Sequence, residues 1–230
     1  MLKNIKKLQN RFSRTSARIA LKFLIALFLM SVFIPYVSPY NQDINGAVHF
    51  EDAGQSPSFS HWFGTDAVGR DVFTITIRAA FFSLKIAFGV VLFSVLLGVP
   101  IGMFAGLSGK KTEEIIMRIT DGFLAFPPLI LPLVITTILG PSLNNVILGI
   151  SASWFPWYVR IARSQSLVIS SLDYVSISKS MGAGKLHIIK KHILPNSINP
   201  ILTQASIDAG YAILTSAGLS FIGLGAQHPD

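Results

Sequence analysis

Long stretches of this chain carry no charged side chain, among them those from Phe23 to the first acid at Asp43, from 86 to 109, and from 122 to 159. Roughly 18 to 20 consecutive apolar residues cross the hydrocarbon core of a bilayer as a helix, so the longest stretch has room for two crossings. The balance of the chain agrees, with 51% hydrophobic residues, 13% charged and a mean hydropathy of +0.57, values wrong for a soluble globule. The expectation is an all-α, polytopic membrane helical bundle of about five spans, near 19–36, 86–107, 119–139, 146–159 with an extension, and 201–224. Trp154, Trp157 and Tyr158 suit an interfacial belt at the end of the fourth. Pro100 is expected to kink the second span, and Pro127, Pro128 and Pro132 the third.

Orientation follows from the bases. The amino-terminal tail up to Lys22, the 110–118 loop and the 160–191 loop hold 16 of the 19 Lys and Arg residues, which places the amino terminus in the cytoplasm. The same distribution explains the net charge of +8 without nucleic acid, because the bases flank apolar runs rather than forming an exposed stripe with interleaved aromatics. No small-x-small cleavage site follows the first apolar run, so an uncleaved span is expected there rather than a signal peptide. The chain lacks cysteine, which excludes disulfides and thiolate metal sites. The organisation is thus a cytoplasmic basic tail at 1–18, a first span at 19–36, an extracytoplasmic segment at 37–85, and a core at 86–230 containing a cytoplasmic loop at about 160–196. An odd number of spans leaves Asp230 outside. In the outer segment Asp66 and Asp71 are too few and too poorly spaced for a calcium loop, and two turns leading into a membrane-surface helix are expected.

The cytoplasmic loop contains S-I-S-K-S-M-G-A-G-K-L-H-I-I-K-K-H-I-L-P-N at 176–196. Glycine costs about 1 kcal/mol in a helix interior and readily takes positive φ. A helix over about 170–180 should therefore break at Gly182, Ala183 and Gly184, and a second helix over 186–194 should stop at Pro195. Such a knob is shaped to enter a groove on a partner, although spacing alone equally allows a solvated loop that obeys the charge bias.

Several enzyme signals fail on inspection. G-L-S-G-K-K-T at 106–112 lacks a phosphate-binding loop's first glycine, since Phe104 stands there, and G-A-G-K fails because Lys179 does. G-I-S-A at 149–152 would need a membrane-embedded histidine base, and His49, His61, His187, His192 and His228 all fall in polar segments. His187 and His192, five apart, would lie about 140° apart on an α-helix, too far for a two-ligand zinc face. Gly98, Gly102 and Gly106 form an i, i+4, i+8 ladder that lets another helix approach, either within this chain or across a dimer seam. Asp208 falls inside the fifth span, where a charge costs roughly 2.5 to 3.5 kcal/mol. A cavity-lining position is expected for it, and a structural pair for Asp121 with Arg118.

The pattern Y-V-x-x-x-x-x-M-G-A-G-x-x-x-I-I-x-x-H-I-L-P-N at 174–196 resembles the EAA loop of ABC importer permeases, most nearly those of the dipeptide/oligopeptide/nickel group. Four more blocks resemble the second-permease type of that group in the expected order: H-W-F-G-T-D-A-V-G-R-D at 61–71, I-M-R-I-T-D-G-F-L-A-F-P at 116–127, I-L-G-P-S-L-N-N-V-I-L at 138–148 and L-S-F-I-G-L-G-A-Q at 219–227. The usual Glu-Ala-Ala reads Ser176, Ile177, Ser178, which removes a carboxylate, whereas the glycine persists as Gly182. Family members continue through a sixth span, so this chain is expected to lack the last one.

The resemblance implies a non-catalytic permease subunit in the cell membrane of a prokaryote, importing di- or oligopeptides, or alternatively nickel or a metal chelate. The implied partners are a homologous second permease, two ATPase subunits that hold the ATP and Mg, an extracytoplasmic substrate-binding protein and membrane lipid. No cofactor is expected on this chain. The implied ATPase-coupling residues are Tyr174, Ser176, Ser178, Met181, Gly182, Ala183, Gly184 and Pro195. A passive channel or membrane scaffold is the competing class, and it would not co-purify with an ATPase.

Overall fold

The computed structural model describes residues 2–225, and every regular element among them is helical. The helices are α1 (Leu2–Val37), α2 (Val72–Gly106), α3 (Lys110–Leu124), α4 (Ile130–Leu139), α5 (Leu143–Ser170), α6 (Asp173–Ser180), α7 (Lys185–Ile188) and α8 (Leu194–Phe221). The end of the 219–227 block, His228 and the outside placement of Asp230 fall beyond the described residues. The chain packs as two units, divided between Leu84 and Lys85 within α2.

In the first unit, α1 leaves Ile19, Phe23 and Phe33 exposed, an apolar surface suited to lipid. No separate surface helix follows, contrary to expectation; two short 3-10 turns, at Asn41–Asn45 and Phe50–Asp52, lead into a tied loop and then directly into α2. The G-T-D-A-V-G-R-D stretch explains that loop. The Asp66 carboxylate accepts from the backbone N–H groups of Val68 and Arg70, both at 2.9 Å, closing a turn in which Gly69 (φ 84°) presses against the His49 carbonyl. Asp71 stands just before α2 and accepts from the Thr74 N–H at 2.8 Å, an N-cap that satisfies a free amide. Buried Asp71 also contacts His61 Nδ1 at 3.0 Å, and its own N–H donates to Asp43 at 2.7 Å. Both acids build backbone structure.

In the second unit α2 is inside out by soluble standards. Its buried face interleaves the small residues Ala87, Ser94, Gly98, Gly102, Ala105 and Gly106 with Ile86, Val90, Val99 and Met103, while Phe88 (70% exposed) and Leu96 (60%) face outward. Water would penalise that arrangement and lipid favours it, because bilayer helices associate through close small-residue contact. By length and composition α2 alone among the described residues is apolar enough to cross a membrane, and α4 is apolar but ten residues long. Helices α5 and α8 have 28 residues each, about 42 Å at 1.5 Å per residue, but dilute their apolar character with buried Ser, with Arg160 and Arg163 in α5 and with Asp208 in α8.

The expected third span is instead two helices. Pro127 and Pro128 lack N–H groups and push the residues before them out of the α region, so the chain breaks between α3 and α4 rather than kinking. Helix α2 runs through Pro100 and α5 through Pro156 without interruption. Between α4 and α5, Gly140 turns at φ 88°, Ser142 caps α5 by accepting from the Asn145 N–H, and the Asn145 amide donates to the Leu139 and Gly140 carbonyls. Helix α5 is the hub, packed against α3, α4 and α8 and, through the glycine ladder, against α2.

Candidate functional site

The glycine ladder fixes the α2–α5 distance. A Cβ on Gly98 would sit 2.6 Å from Tyr158 Cβ, one on Gly102 would strike the Val159 carbonyl, and one on Gly106 would sit 2.6 Å from Ser166 Cβ. These three glycines therefore face a helix of the same chain. Ser151 of α5 is likewise a packing residue: it is buried, with its hydroxyl directed at the Val90 carbonyl 3.4 Å away.

Beyond α5 the chain forms the knob. Helix α6 ends at Ser180, Gly182 takes φ +87°, and α7 starts after Gly184. Tyr174, Ile177, Met181 (83% exposed) and Leu186 leave an apolar outer surface. Around Gly182 lies a hollow of about 560 Å³ bounded by Tyr174, Ser178, Met181, Ala183 and Gly184 among others, and Ser176 is exposed nearby. The base of the knob is dry. Val175, Ile188 and Ile193 are buried in one cluster with Ile169 of α5, Ile201 of α8 and Val99 and Met103 of α2. The knob is thus packed continuously into the helices that carry it.

Pro195 does not stop the chain. A π-helical turn, Ile189–Ile193, follows α7 and passes straight into α8, leaving Pro195 in the first turn of that helix. Proline's missing N–H is harmless there, and the wider turn before it relieves the ring clash that an α-helical interior would impose. The turn also overturns the expected separation of His187 and His192. Their ring centroids are 6.0 Å apart, and His192 Nε2 lies 3.3 Å from Ser178 Oγ. No group of three or more potential metal ligands occurs among the described residues.

Asp121 pairs with Arg160 of α5 at 2.7 Å, not with Arg118, which reaches Glu114 one turn away at 2.9 Å. Arg163 of α5 donates to Glu113 at 2.7 Å, so two cross-helix pairs tie α3 to α5. Sequence spacing favoured the local partner; helix packing selected the distant one.

The second feature is a groove of about 700 Å³ between α5 and α8, also lined by Pro128 and Leu129. Trp154, Trp157, Gln204, Asp208 and Tyr211 line it. Asp208 is 8% exposed and accepts from Gln204 Nε2 at 2.8 Å. Tyr158, fully buried behind it, has a hydroxyl with no well-formed hydrogen bond, and the group with which it interacts is Asp208. Sequence reading found the acid but missed Gln204 and Tyr211, which i−4 and i+3 spacing on α8 could have supplied.

Comparison with known proteins gives a consistent result. The family described as "Binding-protein-dependent transport system inner membrane component" matches residues 98–229. The probable D,D-dipeptide transport system permease protein DdpC of Escherichia coli (strain K12) is 40% identical over 90% of this chain and 68% of its own length. The dipeptide transport system permease protein DppC of Alkalihalophilus pseudofirmus is 37% identical over 93% and 69%. The glutathione transport system permease protein GsiD of Pectobacterium atrosepticum is 34% identical over 95% and 72%. Among solved structures, an inward-facing conformation of the MetNI methionine ABC transporter superposes with a TM-score of 0.58 at 21% identity, covering 65% of this chain and 75% of that one, a likeness of fold. The chain belongs to the family of binding-protein-dependent transport system inner membrane components.

Proposed function

We propose that this chain is the permease subunit of an ATP-driven importer that moves di- or oligopeptides across the cell membrane by alternating access. Relatives named for dipeptide and glutathione transport support that cargo. In this reading the chain works beside a second permease, two ATPases that bind ATP and Mg, and an extracytoplasmic binding protein. It breaks no substrate bond.

The observation that carries the reading is the continuity between the knob and the groove. The exposed apolar tip at Met181 is the docking surface, and its buried base is packed into α5 and α8, the two helices that line the groove. Close-packed interiors switch between discrete arrangements rather than deforming smoothly, so displacement of the knob repositions α5 and α8 as a set. ATP drives the change only because the ATPases bind it differently in the two states. Ser176 contributes no charge to the contact, which leaves docking to shape and apolar burial.

Replacing Gly182 with valine tests the coupling. A β-branched residue is strained at φ +87°, although space is open around the site. Peptide uptake in reconstituted vesicles should fall at least tenfold while membrane insertion and subunit assembly persist. Normal uptake would remove Gly182 from the coupling role.

A further inference from the structure

The groove between α5 and α8 holds a carboxylate without a counter-charge. Asp208 lies 14 residues into a 28-residue helix, takes part in no ion pair among the described residues, and accepts a hydrogen bond from Gln204. An ionised carboxylate offers about four acceptor positions, and burying it unpaired costs several kcal/mol. An apolar residue there would pack more favourably, so the acid reads as a functional group. Its surroundings specify the sign and kind of ligand. No Lys, Arg or His lines the groove, which disfavours an anion. No second carboxylate lines it either, and indole rings take the place of the oxygen donors a hard divalent cation demands. Aromatic faces do attract organic cations, and Trp154, Trp157 and Tyr211 supply three such rings beside the acid.

We propose that Asp208, with Gln204 and the rings of Trp154, Trp157 and Tyr211, forms a binding station for an organic ammonium group, the free amino terminus of a peptide in transit. The inference rests on the permease reading and adds the end of the cargo that this subunit recognises. The groove volume of about 700 Å³ is of the size that accommodates small ligands. With no base in the groove, the cargo's carboxylate end must point away from it.

The chain's three tryptophans make the test direct: in a Trp62→Phe background the two that remain both line the groove. The full chain in lipid nanodiscs is titrated with alanylalanine and with N-acetyl-alanylalanine while tryptophan fluorescence is followed. A saturable response to the free amine, at least tenfold weaker with the acetylated probe and at least tenfold weakened by Asp208→Asn, supports the station. Equal responses to the two probes, or an unchanged response in Asp208→Asn, overturn it, as does a response to sodium chloride alone with none to alanylalanine. Gly182→Val should lose uptake yet keep this fluorescence response, so failure of the coupling role and failure of the station are read separately.

Discussion

At the residue scale, Gly102 shows what the sequence contained and what it left open. Its four-residue spacing from Gly98 and Gly106 announced a close helix approach, but spacing names no partner, and only packing puts the Val159 carbonyl where a Cβ would go. Gly102→Leu should therefore lower thermal stability in detergent by about 1 to 3 kcal/mol or more, whereas Gly109→Ala, at a site with open space around it, should be nearly silent. Asp66 makes a second case. The Arg70 N–H, assisted by the Val68 N–H and the Arg70 side chain, holds its carboxyl below the ordinary 3.8 despite some opposing desolvation. A depressed folded value means that its support for the loop is complete above the unfolded value and disappears as pH falls through the folded one. Hydrogen exchange at Val68 and Arg70, measured relative to its intrinsic rate at each pH, should thus be slow at neutral pH and lose that protection as pH falls through the folded value. Asp66→Asn should accelerate it at neutral pH, and unchanged protection would refute the charge-assisted turn. The Asp43–His49 and His61–Asp71 contacts were illegible beforehand because their partners meet through loop folding, not through any helical or strand period.

At the element scale, apolar runs located α1, α2, α5 and α8, and the Gly182 hinge was readable from glycine's conformational freedom. What resisted reading was proline, whose effect depends on the turn around it. Pro127 and Pro128 broke a helix, Pro100 and Pro156 did not, and Pro195 begins one after a π turn. If Pro195 sustains that turn, Pro195→Ala lets the new N–H pair with the Lys191 carbonyl and close the turn to α-helical pitch, which carries positions 187 and 192 toward 140° apart. The cysteine-free chain permits a clean assay. Cysteines replacing His187 and His192, whose rings are 6.0 Å apart, should form a disulfide readily under mild oxidation. Adding Pro195→Ala should slow that reaction at least fivefold, and an equal rate would show that packing of Ile188 and Ile193 alone holds the turn.

At the scale of the whole molecule, alternating charge and hydropathy supplied the class of protein, and the outward phenylalanines and inward glycines of α2 supply its physical reason. The groove was not legible in the same way, because α5 and α8 are far apart in sequence and their apposition is a tertiary fact. The function proposed is transmission, with a dry-based knob that would move the two helices lining an acid-bearing groove. Its most direct test is a Met181→Cys variant, unique in a chain without native cysteine, in the assembled transporter. The account predicts that a short cross-linker joins position 181 to the ATPase subunit, that nucleotide alters the yield, and that a membrane-impermeant thiol reagent applied from outside intact cells leaves it unlabelled. Labelling from outside with no cross-link to the ATPase would contradict it.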